Sequence, residues 1–63
     1  MANTSVIKVV RAALLDNNDR DIAYSSIQDL LGVPRTVAKR LVFAFYYYAT
    51  EEYMQQIING EVK

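Results

Sequence analysis

The stretch from Tyr24 to Val42 reads YSSIQDLLGVPRTVAKRLV, and its order of residue types decides the fold. A serine-rich helix start leads to Gly32, a residue typical of the position where a helix ends. Pro34 fits the first turn of a following helix, where its missing N–H makes no difference to the hydrogen bonding. The sequence therefore predicts two helices joined by a tight corner, as in a helix-turn-helix.

Upstream of this stretch, apolar residues recur at helical spacing. Ile7, Val10 and Leu14 fall on one face of a first helix, predicted from about Ser5 to Asp16 with Thr4 or Ser5 as its cap. The β-branched residues at 6, 9 and 10 would also suit a strand, but the Ala-Ala-Leu-Leu run that follows favours a helix.

The second helix is expected to start after a polar loop over residues 16–21. Ser25 or Ser26 is the predicted start, because Ser26 followed by Asp29 resembles a capping box. A helix from there to Leu31 would have about two turns.

Two more helices are predicted downstream of the corner. The third helix would run from the Pro34 corner to about Ala49. Thr50 would cap the fourth, which has Glu51 in its first turn and Gly60 at its end. The chain is thus predicted to be all-α, a single domain over 1–63 that forms a small bundle of three to four helices around a helix-turn-helix-like corner.

The predicted third helix has two different faces when its residues are placed at about 100° intervals. One face is apolar and is predicted to join the core: it comprises Val37, Ala38, Leu41, Val42, Phe45, Tyr48 and Ala49. The second stripe is basic at its start and aromatic at its end: it comprises Thr36, Arg40, Phe43 and Tyr47, bordered by Lys39 and Tyr46.

A helix that is apolar nearly all round is normally buried on every side, which a chain of 63 residues can hardly achieve. Phe43, Tyr46 and Tyr47 are therefore predicted to form an interface between two copies in a homodimer. The alternative is that Phe43 and Tyr47 pack under the first and fourth helices of the same chain.

Composition restricts the other possibilities. The chain has no Cys and no His, which removes disulfides and the ordinary zinc site, so oligomerisation is the remaining way to stabilise so small a domain. The longest apolar run, from Leu41 to Ala49, is half the length of a membrane span. With no signal peptide visible, we expect a cytoplasmic protein with no membrane segment and no cofactor.

Catalytic groups are not arranged for a reaction. Without histidine, no serine in the chain has the usual base to activate it. Glu51 and Glu52 are sequence neighbours that point about 100° apart on a helix, so a paired-carboxylate mechanism is not expected. The acids at 16, 19 and 21 lack the glycine and glutamate of a calcium loop. We expect a binding protein rather than an enzyme.

Positive charge is concentrated at the start of the third helix, although the whole chain is neutral. Between Val33 and Thr50 there are three basic residues and no acidic one. In a helix-turn-helix these first residues would face the major groove of double-stranded DNA. The predicted DNA-binding residues are Arg35, Thr36, Lys39 and Arg40.

Residues 23–41, AYSSIQDLLGVPRTVAKRL, resemble the helix-turn-helix of bacterial regulators, especially the promoter-reading region of sigma factors and the winged repressors with a Gly-Val-Pro turn. This resemblance covers about a third of the chain. It implies that Arg35, Thr36, Lys39 and Arg40 approach DNA. The packing positions that it implies are Ile27, Leu31, Val33, Val37 and Leu41.

Two functions are consistent with these features. The first is a small homodimeric DNA-binding regulator of helix-turn-helix type. The second is a helical protein-interaction module, an accessory or phage-type regulator that binds a larger protein partner without contacting DNA.

Overall fold

Four helices follow one another in the computed structural model, which describes residues 5–60. They are α1 (Val6–Asp16), α2 (Arg20–Leu31), α3 (Arg35–Tyr46) and α4 (Glu51–Ile58). This range contains no strand, so the predicted all-α fold is confirmed. Thr4, one of the two candidate caps of α1, and residues 61–63 of the predicted domain lie outside the described residues.

The cap of α4 is the predicted one, and the cap of α1 is Ser5, one of the two predicted candidates. Ser5 Oγ accepts a hydrogen bond from the Lys8 N–H at 3.3 Å, and Thr50 Oγ1 accepts one from the Tyr53 N–H at 3.1 Å. Each hydroxyl satisfies a backbone donor that the first turn of a helix leaves without a partner. The start of α4 was therefore predictable from one side chain, and the start of α1 from two neighbouring candidates.

The predicted start of α2 at Ser25 or Ser26 is wrong. The helix begins at Arg20, after Asp19, whose Oδ1 accepts a hydrogen bond from the Asp21 N–H at 2.8 Å. Aspartate is as good an N-cap as serine, and the earlier start places Ala23 one turn before Ile27 on the buried face. As a result α2 has 12 residues instead of about two turns.

The corner between α2 and α3 is tight, as predicted. Gly32 has a φ of 66°, and the N–H groups of Gly32 and Val33 both donate to the Gln28 carbonyl, at 2.8 and 3.3 Å. The Pro34 carbonyl then accepts the first hydrogen bonds of α3. Three residues thus connect the two helices, and α2 packs against α3.

The end of α3 differs from the prediction. The helix stops at Tyr46, and the Tyr48 N–H donates to the Phe45 carbonyl at 3.1 Å while the Ala49 N–H donates to the Ala44 carbonyl at 3.0 Å. This pair of bonds is a Schellman motif, in which the residue at Tyr48 must be left-handed; its φ is 58°. The prediction that Tyr48 belongs to the core face is wrong, since its side chain is 95% exposed.

The core lies where the inner faces of all four helices meet. Both α1 and α3 contact each of the other three helices. No polar side chain is buried among residues 5–60, so burial of apolar surface holds the bundle together. The buried residues are Val6, Val10, Ala13, Ala23, Ile27, Val33, Ala38, Leu41, Val42, Ala44, Met54 and Ile57.

Three of the five packing positions that the family resemblance implies are buried: Ile27, Val33 and Leu41. Leu31 and Val37 are only partly buried and pack against the edge of the core. None of the described helices is both long and apolar enough to cross a membrane.

Candidate nucleic-acid interface

The outward face of α3 carries most of the predicted DNA-binding residues. Ala38 and Leu41 are fully buried, and the opposite side of the helix is therefore turned to solvent. Thr36, Lys39 and Arg40 are all exposed on that side. The structure thus brings three of the four predicted residues together on one accessible face.

Arg35, the fourth predicted residue, is engaged within the chain. Its Nη2 lies 2.7 Å from Oδ1 of Asp21 in α2, and its guanidinium lies over the Tyr24 ring at 5.4 Å from the centroid. Such an exposed ion pair contributes little to stability, but it offsets the charge of Arg35 locally. Arg35 is therefore less available to DNA than Lys39 or Arg40.

Tyr24 and Arg20 belong to the same surface, although neither was predicted as a site residue. The Lys39 Nζ lies 5.8 Å from the Tyr24 ring centroid, and the Arg20 guanidinium lies 5.6 Å from the ring centroid of Tyr46. Because α2 was predicted to start near Ser25, Arg20 was placed in a loop. In a helix that starts after Asp19, Arg20 and Tyr24 are four residues apart and share a face.

The three residues predicted to form an interface are exposed side by side; we call them the aromatic surface. The exposed fractions are 63% for Phe43, 52% for Tyr46 and 72% for Tyr47. Phe43 and Tyr47 stack with their ring centroids 4.9 Å apart and their planes within 12°. The alternative in which Phe43 and Tyr47 pack under α1 and α4 is therefore wrong.

A groove of about 810 Å³ opens between the second half of α3 and α4. Its walls combine rings with two cations, Lys39 and Arg40, and none of the lining residues is acidic. Tyr48 and Tyr53 also line the groove, and neither was predicted as a site residue. The lining residues are Lys39, Arg40, Phe43, Ala44, Tyr47, Tyr48, Ala49, Thr50, Tyr53 and Ile57.

Glu51 has a structural role away from this surface. Partial burial raises the pKa of its carboxyl group, but hydrogen bonds from the N–H groups of Val6 and Ile7 and from the side chains of Gln55 and Ser5 outweigh that effect. The net pKa is lowered below the ordinary 4.5. The charged carboxylate thus caps the first turn of α1, although Glu51 belongs to α4.

The arrangement is suited to binding: cations and open ring faces are concentrated on one side of α3. Between residues 5 and 60, no three acidic side chains converge in a way that could hold a metal ion. Comparison of the chain with protein-family models, curated proteins and solved structures finds no match.

Proposed function

We propose that the protein is a small DNA-binding regulator of helix-turn-helix type, with α3 as the helix that enters the major groove. One observation carries this proposal: Thr36, Lys39 and Arg40 lie exposed on the outward face of the helix that follows the Gly32 corner. α3 itself has no acidic residue that would repel phosphate. A regulator of this kind acts in the cytoplasm and needs no cofactor.

The exposed residues have different roles in this proposal. Lys39 and Arg40 neutralise phosphates, and Arg40 can also donate two hydrogen bonds to guanine. Thr36, in the first turn, contacts a thymine methyl group or a phosphate. Arg35 is paired with Asp21, so it contributes less to DNA binding than its position in the sequence suggests.

The proposal is tested by fluorescence anisotropy of a labelled mixed-sequence duplex titrated at several salt concentrations. The variant Lys39→Ala/Arg40→Ala should bind more weakly, and the slope of log K against log salt should fall in magnitude by about 1 to 2. The matched control is Lys8→Ala/Arg11→Ala, which removes the same charge from exposed positions on α1.

Equal losses of DNA affinity in the two variants would mean that only net charge matters, and would contradict a binding site on α3. An unchanged slope for Lys39→Ala/Arg40→Ala would also contradict it. The expected pattern is loss in the α3 variant and near-normal binding in the α1 variant.

A second candidate function is favoured by the exposure of the aromatic surface. Aromatic side chains are enriched at the centres of protein interfaces, where they bury large area with few rotatable bonds. Phe43, Tyr46 and Tyr47 would then contact a second copy of the chain or a larger protein partner. In this candidate the cations of α3 lie at the rim of the interface and set orientation rather than binding DNA.

A further inference from the structure

The groove between α3 and α4 presents ring faces that nothing in the described chain covers. The stack of Phe43 on Tyr47 leaves Tyr47 72% exposed, and Tyr53 lies across the groove on α4. Flat, exposed rings stack with any nucleobase, because every base has a π face. In a duplex the base faces are already covered by their neighbours, so only an unpaired base can use such a site.

The charges of the groove also fit a nucleic acid. Lys39 and Arg40 are the charged groups among its lining residues, and both are positive. Single-strand binding sites combine this kind of cationic wall, which contacts phosphates, with rings that contact bases. A second copy seated symmetrically on the groove would instead bring the cations of both copies together with no acid in the groove to pair them.

Tyr48 gives an independent reason to expect a ligand. Its φ of 58° belongs to a conformation that side chains other than glycine adopt at an energetic cost. Its ring is 95% exposed and so contributes almost no packing within the chain. This large ring stands at a position that would suit glycine, on the wall of a groove, and is available for contact with a molecule outside the fold.

We propose that this groove binds unpaired bases of single-stranded DNA, with Tyr47, Tyr48 and Tyr53 stacking on bases and Lys39 and Arg40 holding the adjacent phosphates. The inference rests on the proposed DNA-binding function and specifies the substrate further. The DNA site would include unpaired bases next to the segment contacted by the first turns of α3.

The test compares three labelled probes by fluorescence anisotropy at one low salt concentration. They are a single-stranded oligothymidylate, a strand of equal length in which every base is missing, and a mixed-sequence duplex. Each is titrated with the wild-type protein and with Tyr47→Leu, Tyr47→Phe and Tyr48→Gly, after circular dichroism has shown that each variant is folded.

Oligothymidylate should bind more tightly than the abasic strand. Tyr47→Leu and Tyr48→Gly should weaken its binding by about 5- to 150-fold, the range for losing one base–aromatic stack. Tyr47→Phe keeps the ring face and should bind like the wild type. Binding of the abasic strand should not respond to these substitutions, since it has no base to stack.

Equal affinity for oligothymidylate and the abasic strand would overturn the inference, and so would normal oligothymidylate binding by Tyr47→Leu. If the inference failed in this way but the protein still bound the duplex through Lys39 and Arg40, the proposed function would stand without the inference. Ring-dependent binding of oligothymidylate with no binding of duplex would support the groove and contradict the helix-turn-helix proposal. Dimerisation that prevents oligothymidylate from binding would also overturn the inference, because a second copy of the chain would then occupy the groove.

Discussion

Three positions of the described chain have a left-handed backbone, and they are filled differently. Gly32 and Gly60, with φ of 66° and 78°, follow α2 and α4, where glycine is the usual residue. Tyr48, with φ of 58°, takes the equivalent place after α3. The third helix therefore ends through a conformation that its own side chain makes less favourable.

Replacing Tyr48 with glycine should stabilise the fold. The left-handed conformation costs a non-glycine residue about 1–2 kcal/mol, whereas glycine adds about 0.5–1 kcal/mol of chain entropy to the unfolded state. The exposed ring offers nothing to offset this, so the free energy of unfolding should rise by about 0.5–1 kcal/mol. Thermal and urea denaturation followed by circular dichroism measure the change.

Gly32→Ala is a control for which the opposite change in stability is expected. No atom lies within 4 Å of a Cβ placed there, so the substitution changes only the backbone preference and should lower stability by about 1 kcal/mol. A clear loss of stability in Tyr48→Gly would show that the ring contributes to folding and would contradict the prediction.

Among the helices, α1 and α4 are connected by one carboxylate. Glu51 accepts hydrogen bonds from the N–H groups of Val6 at 2.8 Å and Ile7 at 3.1 Å, and from Ser5 Oγ at 3.0 Å. Gln55 Nε2 donates to it at 2.9 Å from the next turn of α4. The first turn of α1 thus has a negative charge at its positive end, supplied by another helix.

Glu51→Gln should lower the free energy of unfolding by about 1–2 kcal/mol, because hydrogen bonds to a charged cap are stronger than those to a neutral one. Glu52→Gln is the matched control, since Glu52 has the same charge one residue later and is exposed. Urea denaturation at neutral pH should separate the two variants. Equal stability losses would mean that only the dipole of α4 matters.

The same contact gives a pH dependence. The pKa of Glu51 is lower in the folded protein than its ordinary value of 4.5. Its contribution is therefore fully present above the unfolded-state pKa and is lost as the pH falls through the lower folded-state pKa. In denaturation curves recorded below pH 4.5, the stability difference between the wild type and Glu51→Gln should shrink.

The sequence predicts the end of a helix well where the candidate residue is clear. It predicts the end poorly where candidates lie several residues apart or where none is present. Gly32 and Thr50 each had a single clear role, which the structure confirms, and the cap of α1 is Ser5, one of its two neighbouring candidates. Asp19 was assigned to the polar loop, and Ser25 or Ser26 was predicted to start α2. The earlier start after Asp19 buries Ala23 as well as Ile27. The end of α3 has no glycine or proline to mark it.

The candidate site, like the helix ends, could be predicted only in part. Thr36, Lys39 and Arg40 share an exposed face because of spacing within one helix, which the sequence shows directly. The groove depends on how α3 and α4 cross, a property of packing between distant segments. Tyr48 and Tyr53 could therefore not be assigned to it from the pattern of either segment alone.

At the scale of the molecule, a small bundle of 29 × 29 × 21 Å leaves several large apolar side chains in water. Those on the aromatic surface lie beside the cations of α3, whereas Leu15, 76% exposed, lies at the end of α1. Isolated exposed residues are common, but a continuous group of rings usually marks a contact surface. The two candidate functions therefore compete for the same side of the protein.

Salt should affect DNA binding and self-association in opposite directions. DNA binding weakens as salt is added, because counterions compete for phosphate. Self-association through the aromatic surface should strengthen, because salt screens the repulsion between Lys39 and Arg40 of two copies. Sedimentation velocity over a range of protein and salt concentrations measures this, with Phe43→Asp to break the dimer and Leu15→Asp as control. Association that weakens with salt, or that Phe43→Asp leaves unchanged, would contradict self-association through the aromatic surface.

The cap that Glu51 places on α1 also bears on when the fold can be completed. Its donors precede it by 44 to 46 residues. A chain emerging from the ribosome therefore presents α1, α2 and α3 before the acceptor for the first turn of α1 exists. The fold can therefore gain its full cooperativity only after α4, the shortest of the described helices, has been synthesised.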